Sequence, residues 1–182
     1  GSGSASERMN PPDSPAAPSG QPPSPTPGPQ ALGVRSVASI MVIDLVESTQ
    51  LVARHGEVAI ARWQRLALAI EQQARLAFGG KLMRSMGDGL LLIFDSPLNA
   101  VRAAFQFQTE ISTHNVGWPD DQALLLRIAL HVDTVIVDES DIHGFGLALA
   151  TRLLTVAQPG ETVCSAEMRD QLADGLVADV ED

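Results

Sequence analysis

The segment Gly87-Asp88-Gly89 lies between two apolar runs, Lys81 to Met86 and Leu90 to Phe94, and it constrains the fold more than any other part of the chain. Glycines beside an aspartate favour the positive φ angles of a tight turn, so the two runs are predicted to pair as an antiparallel hairpin. Gly79-Gly80 is predicted to end the helix that precedes the hairpin. The carboxylate of Asp88 is therefore expected at a hairpin tip.

A second carboxylate follows another apolar run. Residues Val37 to Ile43 are apolar and rich in branched side chains, which is typical of a buried strand, and Asp44 comes directly after them. Ser48 and Thr49 are good N-cap residues, and apolar residues repeat at helical spacing from there to Phe78. We expect a strand followed by a long amphipathic helix, with Asp44 at the junction.

The later apolar segments complete a βαββαβ order. Ser96-Pro97 begins a second helix, and Leu124 to Val132 is predicted to form the next strand. A helix from about Leu147 to Ala157 and a short buried strand, Thr162 to Ser165 with Cys164, follow. The predicted fold class is α+β, with a ferredoxin-like core, one additional helix and strand, and a mainly antiparallel central sheet.

The first 33 residues differ in composition from the rest of the chain. Nine of the 12 prolines lie between Pro11 and Pro29, mixed with Ser, Gly and Ala, and such a segment cannot bury enough apolar surface to order itself. We predict a disordered leader over residues 1–33, opening on a Gly-Ser segment typical of an expression vector, and a domain over residues 34–182. Docking to a proline-recognising partner is the less favoured alternative, because basic and aromatic anchors are missing around the prolines.

Charge and hydropathy exclude some classes of protein. The formal net charge is −10 and no segment clusters Lys or Arg between aromatic residues, so nucleic acid is not an expected partner. No apolar run approaches the roughly 20 residues that cross a bilayer, and the single cysteine fits a reducing compartment. We expect a cytoplasmic location without a membrane partner for this segment.

Asp44 and Asp88 become neighbours if their strands pair side by side. Two carboxylates of this kind suit Mg²⁺ or Mn²⁺, with the remaining ligands supplied by phosphate groups. The segment from Leu45 to Thr49 opens a helix, whose free N–H groups favour an anion such as a triphosphate. The alternative is structural: Asp44 as a helix cap and Asp88 as a turn residue.

Five segments resemble, in order and spacing, the catalytic domain of class III adenylate and guanylate cyclases. The second of them holds the hairpin aspartate, and the fourth combines two short motifs separated by a few residues. The segments are Ile43 to Thr49, Gly79 to Gly89, Arg127 to His131, Asp141 to Gly144 with Ala150 to Leu153, and Gln158 to Glu161.

The resemblance implies a signalling enzyme that converts ATP to cyclic AMP and pyrophosphate, with a site shared between the two chains of a head-to-tail homodimer. It implies two Mg²⁺ or Mn²⁺ ions and a nucleoside triphosphate as the bound groups. The residues fall into four roles: metal ligands Asp44, Leu45 and Asp88; triphosphate contacts Val46, Glu47, Ser48 and Thr49; base-reading residues Arg84 and Asp141; and Arg152 on the transition state.

The chain departs from the family pattern at several positions. Arg84 replaces a base-reading lysine, Ala148 replaces the asparagine that orients the ribose, and Asp133 replaces a glycine. The chain also stops short of the family's last hairpin, so we expect truncation and a largely monomeric fragment. These departures imply weak activity, or alternatively a degenerate cyclase homology domain that binds nucleotide or a partner as a regulatory module.

Overall fold

The computed structural model describes residues 34–137, 142–143 and 145–181, and the predicted leader lies outside them. Over the described residues, strands and helices follow the predicted order through the fourth strand. The elements are β1 (Val34–Leu45), α1 (Ser48–Ala77), β2 (Gly80–Met86), β3 (Gly89–Phe94), α2 (Pro97–Asn115), β4 (Leu126–Val137), β5 (Ile142–His143), α3 (Phe145–Leu154), β6 (Thr162–Cys164) and α4 (Ala166–Glu181).

The strands form a single mixed sheet in the order β2-β3-β1-β4-β5, with β6 added to β4. All the pairs along this path are antiparallel, and only β6 runs parallel to its partner β4. The central strand β1 pairs with β3 on one side and β4 on the other. The predicted α+β class and βαββαβ core are therefore confirmed.

Helices cover both faces of this sheet because β1 is apolar at every position from Ile40 to Ile43. Met41 and Ile43 belong to the core that includes residues of α1 and α2, whereas Ile40 and Val42 belong to a second core with residues of α3. A strand whose side chains alternate between two buried faces reads as a continuous apolar run. Asp44 ends that run on the α3 side of the sheet, by the same alternation.

Several details differ from the expectations. Cys164 is exposed, because β6 pairs with only one neighbour in the sheet and its side chain faces outward. The helix α1 contains a break at Gly56, where φ is 53° and ψ is −130°. Val52 and Ile60, two of the apolar residues in the helical repeat of that segment, are 37% and 40% exposed. The strand β5 and the helix α4 were not predicted.

The loop between α2 and β4 is anchored to α1 by Arg62. This side chain is 6% exposed, and its guanidinium carbon lies 3.8 Å from the centroid of the Trp118 ring. It also donates a hydrogen bond to the carbonyl oxygen of Gln122, and burial lowers the pKa of the Arg62 guanidinium. From the anchored loop, the carbonyl oxygen of Leu125 accepts a 2.9 Å bond from the N–H of Val46, which follows β1.

Candidate active site

The two predicted metal carboxylates lie on neighbouring strands at one end of the sheet. Asp44 is paired with Gly89 in the antiparallel register of β1 and β3, and Asp88 precedes Gly89 in the hairpin turn. The carbonyl oxygen of Asp88 accepts a 2.8 Å hydrogen bond from the N–H of Leu45. The juxtaposition of Asp44 and Asp88 expected from strand pairing is present.

Arg127 is bound to the carboxylate of Asp44 through two nitrogen atoms. Its Nε lies 3.0 Å from Oδ1 of Asp44, and a terminal nitrogen contacts Oδ2. The register of β1 and β4 places the two residues directly opposite one another. The hydrogen bond to Asp44 raises the pKa of Arg127. The stability that this ion pair adds to the fold would therefore be lost only as the pH rose through the raised pKa of Arg127. The site therefore holds a permanent cation beside its first carboxylate.

The hairpin turn with Asp88 is held against the start of α1. Ser48 donates a 2.7 Å hydrogen bond from its hydroxyl to Oδ2 of Asp88. The indole N–H of Trp63 donates to the carbonyl oxygen of Gly87, which has a positive φ of 57° that favours glycine. Two side chains of one helix thus hold the turn, one through the carboxylate of Asp88 and the other through the backbone of Gly87.

The first turn of α1 is not capped by a side chain. Its N-cap residue is Glu47, in the left-handed region with φ 51° and ψ 38°, and no side-chain hydrogen bond caps the helix. Ser48, expected as a cap, is instead the first helical residue and bonds to Asp88. A helix start of this kind presents N–H groups and the positive end of the dipole to an anion.

The expected triphosphate contacts lie around two separate cavities. A cavity of about 530 Å³ is lined by Leu45, Ser48, Thr49 and Asp88, together with apolar residues of α1 that include Trp63. Val46 and Glu47 instead line a smaller cavity of about 180 Å³ beside the α2–β4 loop. The structure therefore groups Ser48 and Thr49 with two of the metal candidates, Leu45 and Asp88, and separates Val46 and Glu47 from them.

The remaining predicted residues are distributed over the other parts of the domain. Arg152 is exposed in the last turn of α3 and lines a cavity of about 400 Å³ with His131 and Glu167. Ala148, also exposed, precedes Arg152 by one helical turn. Arg84 is half-buried on β2, opposite Leu91. Asp141, the second expected base-reading residue, lies outside the described residues.

Two comparisons with curated proteins bear on this arrangement. A Rhizobium meliloti (strain 1021) protein named "Putative adenylate cyclase 3" is 30% identical over 138 residues, which are 72% of this chain and 22% of that protein. An uncharacterised protein of Mycobacterium tuberculosis is 34% identical over 100 residues, or 54% of this chain and 24% of its own length. The chain spans about a quarter of the length of these relatives. No protein-family model matches the chain.

Solved cyclase structures share the fold. The adenylate/guanylate cyclase/hydrolase of Silicibacter pomeroyi superposes with a TM-score of 0.68 at 22% identity, covering 78% of this chain and 82% of its own. The adenylyl cyclase CyaB of P. aeruginosa gives a TM-score of 0.70 at 18% identity, with the same coverage of 78% and 82%. The described part of this chain has the fold of these class III cyclase domains. The resemblance stated from its motifs is confirmed at this level.

The donor atoms of the cyclase-like domain suit a hard divalent cation. No set of three or more His, Cys, Asp or Glu side chains is arranged as a complete metal cage within the described residues. Asp44 and Asp88 offer two carboxylates on adjacent strands, which is the partial oxygen set that Mg²⁺ uses when substrate phosphates complete its shell. The residues present therefore fit a metal that binds together with a nucleotide.

Two residues of this site were missed by the sequence reasoning. Arg127 was recognised only as part of a similar strand, although strand alternation and the β1–β4 register place it opposite Asp44. Trp63 was only one apolar residue of the predicted helix α1, but its indole N–H secures the Asp88 turn and it lines the cavity. The described helices include none with the length and continuous apolar character of a membrane span.

Proposed function

We propose that the domain converts ATP to 3′,5′-cyclic AMP and pyrophosphate, slowly and within a homodimer. The supporting observation is that Asp44 ends β1 directly opposite the hairpin turn of Asp88, whose carboxylate lines a cavity together with Ser48 and Thr49 at the start of α1. In the reaction the ribose 3′-oxygen bonds to the α-phosphorus, the bond to the β-phosphate oxygen breaks, and the hydroxyl proton leaves to solvent. ATP rather than GTP is proposed because Asp141 occupies the position typical of adenylate-type enzymes.

The chain's own residues would bind and orient the triphosphate. Asp44, Asp88 and the carbonyl oxygen of Leu45 would hold two Mg²⁺ or Mn²⁺ ions, which when bound would lower the pKa of the 3′-hydroxyl and offset charge on the phosphates. Ser48 and Thr49 would present N–H groups to the phosphates from the start of α1. Once a cation neutralised the carboxylate of Asp44, Arg127 would release that carboxylate and donate to a phosphate oxygen instead.

Arg152 would stabilise the transition state from the second chain of the dimer. Its cavity shares no lining residue with the cavity beside Asp88, so one chain is not expected to complete the site. Arg84 and Asp141 would read the base from that same second chain. The domain would work in the cytoplasm, where ATP is abundant and the exposed Cys164 stays reduced.

Paramagnetic broadening tests the metal site directly. Mn²⁺ added with ATP should broaden the amide signals of residues 45–49 and 87–89 more than those of the rest of the domain, because the effect falls steeply with distance. Asp44→Asn and Asp88→Asn should abolish this local broadening. Asp95→Asn is the matched control, since Asp95 is exposed at the opposite end of β3. Uniform broadening in the unmodified chain would remove the metal site from the proposal.

Product analysis then separates an enzyme from a regulatory module. Cyclic AMP and pyrophosphate should accumulate slowly with Mn²⁺ and ATP, and should disappear in Asp44→Asn. Ala148 favours a second candidate, a nucleotide-binding module without turnover, because an exposed methyl group cannot orient a ribose. Local broadening without cyclic product would support that second function.

A further inference from the structure

A buried histidine connects the two helices on either side of the Arg152 cavity. His131 is 3% exposed on β4, and strand alternation puts it on the same face as Ala129 and Val135, which pack in the core with residues of α3. It lines the cavity of about 400 Å³ together with Arg152. A buried histidine beside a proposed transition-state arginine has a role to be explained.

One ring nitrogen of His131 is fully engaged. Its Nδ1 lies 2.7 Å from the hydroxyl oxygen of Ser165, and that oxygen also accepts a 3.1 Å hydrogen bond from the N–H of Met168 in the first turn of α4. Since the Ser165 oxygen already accepts from Met168, its hydrogen is available to donate to Nδ1. When Ser165 donates to Nδ1, a neutral ring carries its proton on Nε2.

The other ring nitrogen is buried and has no hydrogen-bond partner among the residues that the structure describes. Its nearest carboxylate is that of Asp133, with Oδ2 at 3.6 Å from Nε2, which exceeds hydrogen-bond length. Asp133 also lies against the start of α3, since a Cβ atom built on Gly146 would be 2.8 Å from the Cβ of Asp133. A small movement of this carboxylate or of the first turn of α3 would close the gap and satisfy a buried donor, which favours closure.

We propose that His131 is a positioning residue whose Nε2–H closes onto Asp133 when Arg152 engages substrate, and thereby fixes α3 and the direction of Arg152. The proposal rests on the proposed function of Arg152. It gives a role to Asp133, which replaces a glycine of the family pattern, because a glycine there would offer Nε2 no acceptor. It also explains why Ser165 holds the ring from the other side: the ring cannot rotate while α3 adjusts.

Replacing His131 by asparagine or by glutamine tests the contacts of the two ring nitrogens one at a time. The amide of His131→Asn reaches the Nδ1 position and keeps the bond to Ser165, whereas that of His131→Gln reaches the Nε2 position and can bond to Asp133. We expect His131→Asn to speed amide hydrogen exchange in residues 147–154 by about tenfold with nucleotide bound, and to lower kcat by a similar factor at unchanged KM. His131→Gln should stay within about twofold of the unmodified protein in both measurements.

Asp133→Ala provides a second route, because Asp133 is partly exposed and its loss leaves the ring in place. It should reproduce His131→Asn and add nothing to it in the double variant. His131→Asn should also have no further effect on amide exchange in residues 147–154 in an Arg152→Ala background, whereas a general loss of stability would speed exchange in both. His114→Asn, on α2 and paired with Glu110, is the matched control.

The exchange measurement decides the proposal even in a protein without turnover. Unchanged exchange in residues 147–154 of His131→Asn, or equal effects of the Asn and Gln variants in proportion to their melting temperatures, would overturn it. If the expected exchange pattern were seen without cyclic product, the proposed function of the domain would be overturned. The proposed hydrogen bond between His131 and Asp133 would then still stand.

Discussion

Arg127 neutralises Asp44 before any metal arrives, by binding both carboxylate oxygens from the opposite strand. A divalent cation and a guanidinium cannot both occupy the same face of one carboxylate. In the proposed function, metal binding at Asp44 would therefore displace Arg127, and phosphate oxygens would be the acceptors that receive it. The pair would thus couple metal entry to nucleotide entry at this end of the sheet.

Replacing Arg127 by Gln should have opposite effects on metal affinity and on turnover. Mn²⁺ should bind the nucleotide-free variant about tenfold more tightly, because a competing cation is gone. Cyclic product formation should fall about a hundredfold or more, because a phosphate contact is lost. Electron paramagnetic resonance titration with Mn²⁺ and a product assay measure the two. Arg102→Gln, at an exposed position of α2, should leave both unchanged; weaker Mn²⁺ binding in Arg127→Gln would contradict the competition.

Glu47→Gly should stabilise the domain. Glu47 is the one described non-glycine residue with positive φ, and it is exposed. Left-handed backbone costs a non-glycine residue about 1–2 kcal/mol, of which the extra freedom of unfolded glycine offsets a part. We expect the free energy of unfolding in urea to rise by about 1 kcal/mol.

The control for Glu47→Gly is Gln72→Gly, an exposed position inside the regular part of α1. There glycine should lower the free energy of unfolding by about 1 kcal/mol. If both substitutions destabilise to the same extent, the conformation of Glu47 carries no strain.

The positions of the two carboxylates at a strand end and in a turn could be predicted because local rules determine them. Asp88 lies in a turn specified by its flanking glycines, and Asp44 ends an apolar run. The contact of Arg127 with Asp44 could not be predicted, because it depends on the register between β1 and β4. The paired residues of these strands are 80 or more positions apart, and no local signal specifies their pairing. The exposure of Cys164 was missed for a related reason: an apolar strand looks the same in sequence at the edge of a sheet as at its centre.

Ala148→Asn should raise cyclic product formation tenfold or more. Position 148 is exposed and one helical turn before Arg152, so an asparagine amide there would lie on the same side of α3 as the guanidinium. Restoring one hydrogen bond to the transition state accounts for a gain of this size. Thr151→Asn, which adds the same amide on another side of α3, is the control. Chromatography of the products measures the rates. Equal rates in both variants would show that the weak activity does not come from the missing amide at position 148.

Association of two chains is the precondition for all turnover in this scheme. A net charge of −10 adds repulsion between identical chains, so sedimentation at micromolar concentration should show one chain. Val52 and Ile60 border the cavity beside Asp88 and are substantially exposed, which leaves an apolar surface for weak association at higher concentration. Activity per chain should therefore rise with protein concentration.

Mixing two inactive variants tests the shared site itself. Asp44→Asn loses a metal carboxylate and Arg152→Ala loses the transition-state cation, so neither should form product alone at a concentration where sedimentation shows dimers. In a mixed dimer, one of the two sites receives an intact Asp44 from one chain and an intact Arg152 from the other. Because half of the dimers in an equal mixture are mixed, about a quarter of the unmodified activity should return. A mixture that stays inactive while forming mixed dimers would mean that Arg152 acts within its own chain or takes no part in the reaction.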